Sequence, residues 1–358
     1  MPPESPAPTG EPVSAPALTI QPVSAPALTV QIVSYNTRAL TLDCLATLAA
    51  ATRTPIRTVV WDNASGDGSA DAVAAAFPQV TLIRSPDNVG FAGANNAIAE
   101  TVDTEWLLLL NSDTEVFDGA IDRLLDFARA HPAHGIYGGR TLYADGSLNP
   151  TSCFDRMTPW SAFCHATGLV TAFPGHRLFD TENIGGWARD SVREVDVVCG
   201  CFFLIRTALW RALGGFDPRF FMYGEEVDLC LRARAAGWRP VITPAATIMH
   251  LGGASRSSRA AKRIQNARAR ASFVELHWPR AWRPWGRAML WLWAANRYAA
   301  SRLAAPFGRS GQRALWSEVW AGRHDWMRGW RTGDPGPATP PMTTPAPTPA
   351  TTPPVSAG

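Results

Sequence analysis

The sequence predicts an α/β protein, a parallel sheet covered by helices on both faces, with a helical extension beyond it. Three observations predict it. Short β-branched or leucine-rich runs alternate with alanine-rich stretches of helical length, the pattern of strand–helix–strand crossovers. The composition, 46% hydrophobic and 18% charged, is that of a chain that collapses onto a core rather than staying unfolded. At 358 residues the chain is long enough to bury a sizeable one.

The elements follow in order. Leu28–Ser34 reads as a strand, Ala39–Ala51 as a helix and Thr58–Asp62 as a second strand. Asp67–Phe77 is the next helix, Val80–Arg84 the third strand, Gly93–Thr101 a helix and Glu105–Asn111 the fourth strand, with Trp106–Leu110 apolar throughout. A helix over Asp118–Ala130, a strand ending in Arg206, a helix over Glu225–Ala235 stopped by Gly237, and a strand over Arg239–Ile248 complete the reading. Residues 1–26 are rich in Pro, Ala, Ser and Thr and are expected to be disordered, as is the Pro/Thr-rich tail 334–358. The segment Val13–Gln21 recurs ten positions later as Val23–Gln31, and only the second copy runs on into an apolar stretch. Only that copy should supply a strand. Residues 27–275 then form the main domain and 276–333 the extension.

Several function classes are excluded early. No run reaches 18 consecutive apolar residues, which argues against a polytopic membrane protein. Residues 1–10 have neither a basic nor an apolar region of the kind a secretory signal peptide needs. The six cysteines show no metal-ligand or disulfide-scaffold spacing and suit a reducing interior. Gly90-Phe-Ala-Gly93 lacks the dinucleotide-binding spacing, and Lys262, the only lysine, lies in no Walker loop.

In a doubly wound sheet, ligands sit at the carboxyl ends of the strands. Here those ends read Ser34-Tyr-Asn36-Thr, Asp62-Asn63-Ala-Ser-Gly, Asn88-Val-Gly90-Phe91-Ala-Gly-Ala-Asn95-Asn and Asn111-Ser-Asp113. Any one of them also serves as a turn or cap; four polar ends on one edge point to a ligand. Asp113, a hard oxygen donor after an apolar strand, suits Mg²⁺ or Mn²⁺ bridging a diphosphate, and equally suits capping the following helix.

The order of these motifs resembles the family 2 glycosyltransferases of GT-A type. The later pieces agree: Val197-Val-Cys-Gly-Cys-Phe-Phe-Leu-Ile-Arg206, Gly214-Gly-Phe-Asp217, Gly224-Glu-Glu-Val-Asp228 and His250. The Gly-Phe-Ala-Gly-x-Asn-Asn and Phe-Met-Tyr-x-Glu segments are similar to its rhamnosyltransferase-like branch. The resemblance covers residues 28–275 and implies a GT-A, Rossmann-like nucleotide-sugar fold with a mixed, mostly parallel sheet. It further implies that Asp62, with Ser34 and Asn36, receives the nucleobase of a dTDP-, UDP- or GDP-sugar. Asn63, Asn88, Gly90, Phe91, Asn95 and Asn111 would line the same pocket. Arg206 or the Arg256–Arg259 pair would add positive charge, and Asp113 and His250 would hold the metal. The base would be Glu226, with Asp228 or Glu225 in reserve. The family usually has Asp where Glu226 stands, and a glutamate reaches about 1.5 Å further, one C–C bond. The acids in the first turn and Arg232 and Arg234 in the last also fit the helix dipole without any catalytic role.

Formal net charge is only +3, but residues 251–333 carry sixteen cations against three acids, a local +13. Nine of the fifteen tryptophans fall within 276–333. Such a segment is expected either to lie in the interface of an anionic membrane or to pack as a helical cap; nucleic-acid binding lacks a motif. The expectation is thus a metal-dependent, inverting transfer of a sugar, rhamnose among the candidates, to a glycan or lipid-linked acceptor. The setting would be surface-polysaccharide assembly at the cytoplasmic face of the cell membrane. The rivals are a nucleotidyltransferase and a non-catalytic nucleotide-sugar-binding module docked to the membrane.

Overall fold

A computed structural model of the chain describes residues 26–252, 258–303 and 310–334. The first copy of the repeat, the tail beyond 334 and Arg256 lie outside the described residues. The second copy does supply a strand.

Strands β1 (Leu28–Ser34), β2 (Ile56–Asp62), β3 (Thr81–Arg84) and β4 (Trp106–Asn111) alternate with helices α1 (Arg38–Ala51), α2 (Ser69–Ala76) and α3 (Gly90–Glu100). Then come β5 (Thr114–Val116), α4 (Ala120–Ala130), β6 (Ile136–Leu142), β7 (Leu148–Asn149), β8 (Cys153–Phe154), α5 (Pro159–Thr167) and α6 (Leu169–Ala172). Strands β9 (Arg193–Glu194), β10 (Val197–Val198) and β11 (Phe202–Arg206) lead to α7 (Thr207–Leu213), α8 (Glu225–Ala235) and β12 (Val241–His250). Helices α9 (Arg259–His277), α10 (Arg283–Leu303), α11 (Ser310–Ala321) and α12 (Arg323–Trp326) close the described chain.

The main sheet runs β3-β2-β1-β4-β11-β6-β12-β5. The first four strands are parallel, and their registers place Ser34 beside Asp62, Asp62 beside Arg84, and Asn111 beside Val33. The chain moves outward from β1 to β3 and returns to β4 on β1's other side, so the crevice of a topological switch point opens above β1 and β4. Beyond β4 the sheet is mixed, because β11 enters antiparallel to both β4 and β6. One apolar cluster, including Ile32, Leu108, Leu124 and Leu204, fills one face; Leu107, Leu109, Phe203, Phe216 and Leu229 fill the other. Alternate residues of β4 thus face opposite cores, which is why Trp-Leu-Leu-Leu-Leu carries no polar position.

The C-terminal helices form a third cluster, in which Phe273, Val274, Leu290 and Trp326 pack with Met157 and Ala162 of the α5 region. Trp278 and Trp326 are buried there, Trp330 is buried in the second cluster, and Trp316 is buried as well. The Trp278 indole donates to the Met157 carbonyl at 3.1 Å and that of Trp326 to Val319 at 2.9 Å. Most of the aromatic extension is therefore a helical cap, while Trp282, Trp285 and Trp291 stay exposed. Among the described residues no helix is long and apolar enough to cross a membrane.

Candidate active site

The loops after β1 and β2 are laced together. Asn36, at φ 54°, donates its backbone N–H to Ser65 Oγ at 3.0 Å, and its side-chain oxygen accepts from Gly66 N–H at 2.8 Å. One carboxylate oxygen of Asp62 accepts from Ser65 N–H at 3.0 Å. Its other oxygen, Oδ1, is buried with no donor among the described residues. An unmatched buried acceptor costs about 1–3 kcal/mol, so this oxygen suits an N–H of a bound group. Ser34 sits lower: its hydroxyl lies 2.9 Å from Thr41 Oγ1 and 3.2 Å from Thr37 Oγ1, inside a buried hydroxyl cluster.

The loop after β3 is held by its asparagines. Asn63 accepts from Val89 N–H at 2.9 Å and donates to the Gly90 carbonyl at 3.1 Å, and Asn88 accepts from Gly90 N–H at 3.0 Å. Those bonds start α3 at Gly90, three residues before the sequence suggests. Gly90 has φ +77°, and a Cβ there would come 2.3 Å from the Phe221 carbonyl oxygen. Phe91 N–H donates to that same oxygen at 2.8 Å, tying the loop to the segment that introduces α8. Asn95 is interior: it accepts from Gln31 at 2.7 Å and donates to the Phe91 carbonyl at 2.9 Å. It braces α3 against β1 and does not face the crevice.

Asp113 and His250 meet although 137 positions separate them. The cause is strand pairing: β12 extends to His250, two residues past the predicted end, and pairs antiparallel with β5 so that His250 lies opposite Thr114. Asp113 Oδ1 is then 3.3 Å from His250 Nε2, and Asn111 Nδ2 is 3.4 Å from the same nitrogen. Asn149 fixes the His250 carbonyl at 3.0 Å. Burial alone would depress the imidazolium, but the hydrogen bond and charge of Asp113 outweigh it and raise the His250 pKa. Two donors about 3 Å apart are spaced as adjacent ligands of one small oxygen-loving cation are, at bond lengths of about 2.1 Å. A carboxylate and an imidazole leave the other positions for phosphate and water, so the pair fits Mg²⁺ or Mn²⁺.

Helix α8 begins after two left-handed residues, Tyr223 at φ 67° and Gly224 at φ 94°. Glu225 is buried and Glu226 half-buried, and each has an Oε2 with no partner among the described residues. Burial raises both pKa values, and for Glu225 the neighbouring Glu226 charge adds to it. Asp228 is different. It accepts from Arg232 Nε at 2.7 Å and its other oxygen lies 3.0 Å from His277 Nε2. With both oxygens engaged, Asp228 ties α8 to α9, which removes it as a reserve base.

Arg206 is not at the site. Because β11 runs antiparallel, Arg206 pairs with Trp106 at the start of β4, stacks 4.4 Å over its ring and bonds Glu105 at 2.5 Å. The opposite, amino end of β11 reaches the crevice instead, bringing Cys199 and Cys201. A hydrogen bond with Cys201 holds the half-buried Cys199 thiol below its ordinary range, and Glu226 and His250 both act on it electrostatically. Cys199 is thus within electrostatic reach of both Glu226 and His250. The signal was available in the motif that ends in Arg206, at its other end.

A sheet that is parallel through β4 and mixed beyond it, with polar strand ends and an Asp–His pair on one edge, fits the GT-A glycosyltransferase architecture. The chain belongs to glycosyltransferase family 2: the family described as "Glycosyltransferase like family 2" matches residues 26–271. It is 31% identical over 227 residues to N-acetylglucosaminyl-diphospho-decaprenol L-rhamnosyltransferase of Mycobacterium tuberculosis, covering 58% of this chain and 70% of that one. It is 43% identical to rhamnosyltransferase WbbL of Escherichia coli over 56 residues, 16% of this chain and 21% of the other. A mannosyltransferase from Pyrobaculum calidifontis in complex with GDP-Man and Mn²⁺ shares the fold at TM-score 0.52 and 18% identity, over 85% of this chain and 88% of that one. GalNAc-T7 with UDP, GalNAc and Mn²⁺ shares it at TM-score 0.50 and 14% identity, over 85% and 56%. The chain is therefore a glycosyltransferase of rhamnosyltransferase-like type, and the nucleotidyltransferase and non-catalytic readings fall.

Proposed function

We propose that this glycosyltransferase moves a sugar, rhamnose first among the candidates, from a dTDP-, UDP- or GDP-linked donor to a glycan or lipid-linked acceptor, with inversion. The observation that carries the reading is the Asp113–His250 pair at the same sheet edge as two carboxylic acids of raised pKa. Asp62 Oδ1 would accept an N–H of the nucleobase, with the Asn36–Ser65–Gly66 lacing holding that carboxylate in place. Asp113 and His250 would hold Mg²⁺ or Mn²⁺, which when bound supplies positive charge to the departing diphosphate. Glu226, less buried than Glu225, would take the proton of the acceptor hydroxyl as its oxygen attacks the anomeric carbon. The bond from that carbon to the β-phosphate oxygen breaks as the new one forms, and the diphosphate leaves with the electron pair. A raised pKa moves the carboxylate toward the operating pH, where a general base works best. One base and no protein nucleophile give a single displacement, hence inversion. The diphospho-decaprenol in the name of the mycobacterial relative supports a lipid-linked acceptor, and the cationic extension supports work at the cytoplasmic face of a membrane.

The test is release of nucleoside diphosphate from a panel of UDP-, dTDP- and GDP-sugars with Mn²⁺, Mg²⁺ or EDTA. Metal-dependent turnover of one donor, lost in Asp113→Ala, is the expected result. Failure to turn over or bind any donor, with or without metal, would sink the proposal.

A further inference from the structure

A cavity of about 690 Å³ opens at the carboxyl end of α8, whose amino end carries Glu225 and Glu226. The cavity's wall on α8 begins at Leu231, five residues or about 7 Å along the axis from Glu226, so it opens away from the two acids, and His277, which meets Asp228 at 3.0 Å, lies on its wall. Its walls include Trp238, Trp278 and Trp282, and its arginines are Arg156, Arg234 and Arg239; among the described residues no carboxylate lines it. Acids pair with each of these guanidinium groups and, through Asp228, with His277. Asp196 lies 3.7 Å from Arg156 and 3.1 Å from Arg234, and Glu194 lies 3.9 Å from Arg239. They orient the arginines, while the Arg156 and Arg239 side chains remain 55% and 59% exposed. An apolar, indole-walled space of ligand size with three converging arginines is built for an anion that carries hydrocarbon.

The rim says where such a molecule comes from. Trp282 is half exposed at the mouth, and the Trp285 indole donates at 3.3 Å to the carbonyl of Pro159, which also lines the cavity. From Trp285 the outer face of α10 continues through Ala288, Trp291, Ala299 and Leu303, all exposed. The inner face, Met289, Leu290 and Ala294, is buried. A helix apolar on both faces needs a second apolar phase, and this one does not meet the requirement for a membrane span. Tryptophan with flanking arginine is the composition of a helix lying in a lipid–water interface.

We propose that this cavity binds a single phosphate-bearing lipid drawn from an anionic bilayer, on whose surface the outer face of α10 rests. The phosphate sits among Arg156, Arg234 and Arg239, and the chains pass Trp282 toward the α10 face. The proposal is independent of the donor and of catalysis.

It is tested with the full chain by flotation on phosphatidylcholine vesicles with and without phosphatidylglycerol, and by thermal melting with dihexanoyl phosphatidylglycerol or inorganic phosphate. Binding only to the anionic vesicles is expected, weakened about 30-fold in R156Q/R239Q at roughly tenfold per 1.4 kcal/mol and about 1 kcal/mol per arginine. The short-chain lipid should raise the melting temperature of the wild type and not of that variant, whose unliganded melting curve confirms its fold. Equal binding to neutral vesicles, an unaffected double variant, or an equal shift with inorganic phosphate each overturns the lipid site. So does self-association through the α10 face that abolishes flotation.

Discussion

Glu182 joins the cap to the catalytic body and gives the most quantitative prediction. Its carboxylate accepts from Arg270 of α9 at 2.7 and 2.8 Å and from Ser161 Oγ at 2.7 Å, with His165 at 3.6 Å. Burial opposes its ionisation, but the Arg270 charge and hydrogen bonds, with His165 and Ser161, outweigh that and hold the pKa at about 2 against an ordinary 4.5. At about 1.36 kcal/mol per pH unit the gap amounts to roughly 3 kcal/mol. A depressed carboxylate pKa means that the unfolded chain binds more protons between pH 4.5 and 2. The contribution is therefore complete above about pH 4.5 and is lost as pH falls toward 2. Glu182→Gln keeps the shape and removes the charge. Urea unfolding of both proteins at a series of pH values should show a deficit of about 3 kcal/mol at pH 7 that shrinks steadily below pH 4.5. In a cycle with Arg270→Met, the two substitutions should couple rather than add. Wild-type and variant stabilities that stay parallel from pH 7 to 3 would refute the reasoning, because the deficit would then have no electrostatic origin.

Three further outcomes separate chemistry from scaffolding. Glu226→Gln should cut kcat by about 10²–10⁴ while leaving nucleoside-diphosphate binding by calorimetry unchanged; retention of full turnover would remove it as the base. Asp228→Asn should instead lower stability by roughly 3 kcal/mol, since it strips a buried partner from Arg232 and His277, with turnover per folded molecule preserved. Arg206→Ala, remote from the crevice and paired at the surface with Glu105, should change neither the donor KM nor kcat, and a rise in KM would contradict its placement.

The strand reading survived because its signal is local. Trp106–Leu110 must be apolar to sit between two cores, and Ser34 and Asp62 share a row with Asn111 one residue short of it, beside Val33, because parallel neighbouring strands end close together. What periodicity does not carry is strand direction. A run such as Phe202–Arg206 satisfies the same burial either way up, and the antiparallel choice exchanges which end meets the ligand, replacing Arg206 by Cys199 and Cys201. Nor does spacing carry registry between distant strands. Only the family resemblance joined Asp113 to His250; their 3.3 Å approach depends on β12 pairing with β5 at Thr114. The same limit applies to the acids of α8. Glu225, Glu226 and Asp228 look equivalent on one helical turn, and only the arrival of His277 from α9 at 3.0 Å turns Asp228 into a structural anchor. That contact also makes a physical connection, since α9 is fastened at once to the acid helix and, through Arg270, to Glu182. The cap is thus anchored to the acid helix at Asp228 and to the catalytic body at Glu182, so loss of either anchor should cost stability rather than turnover.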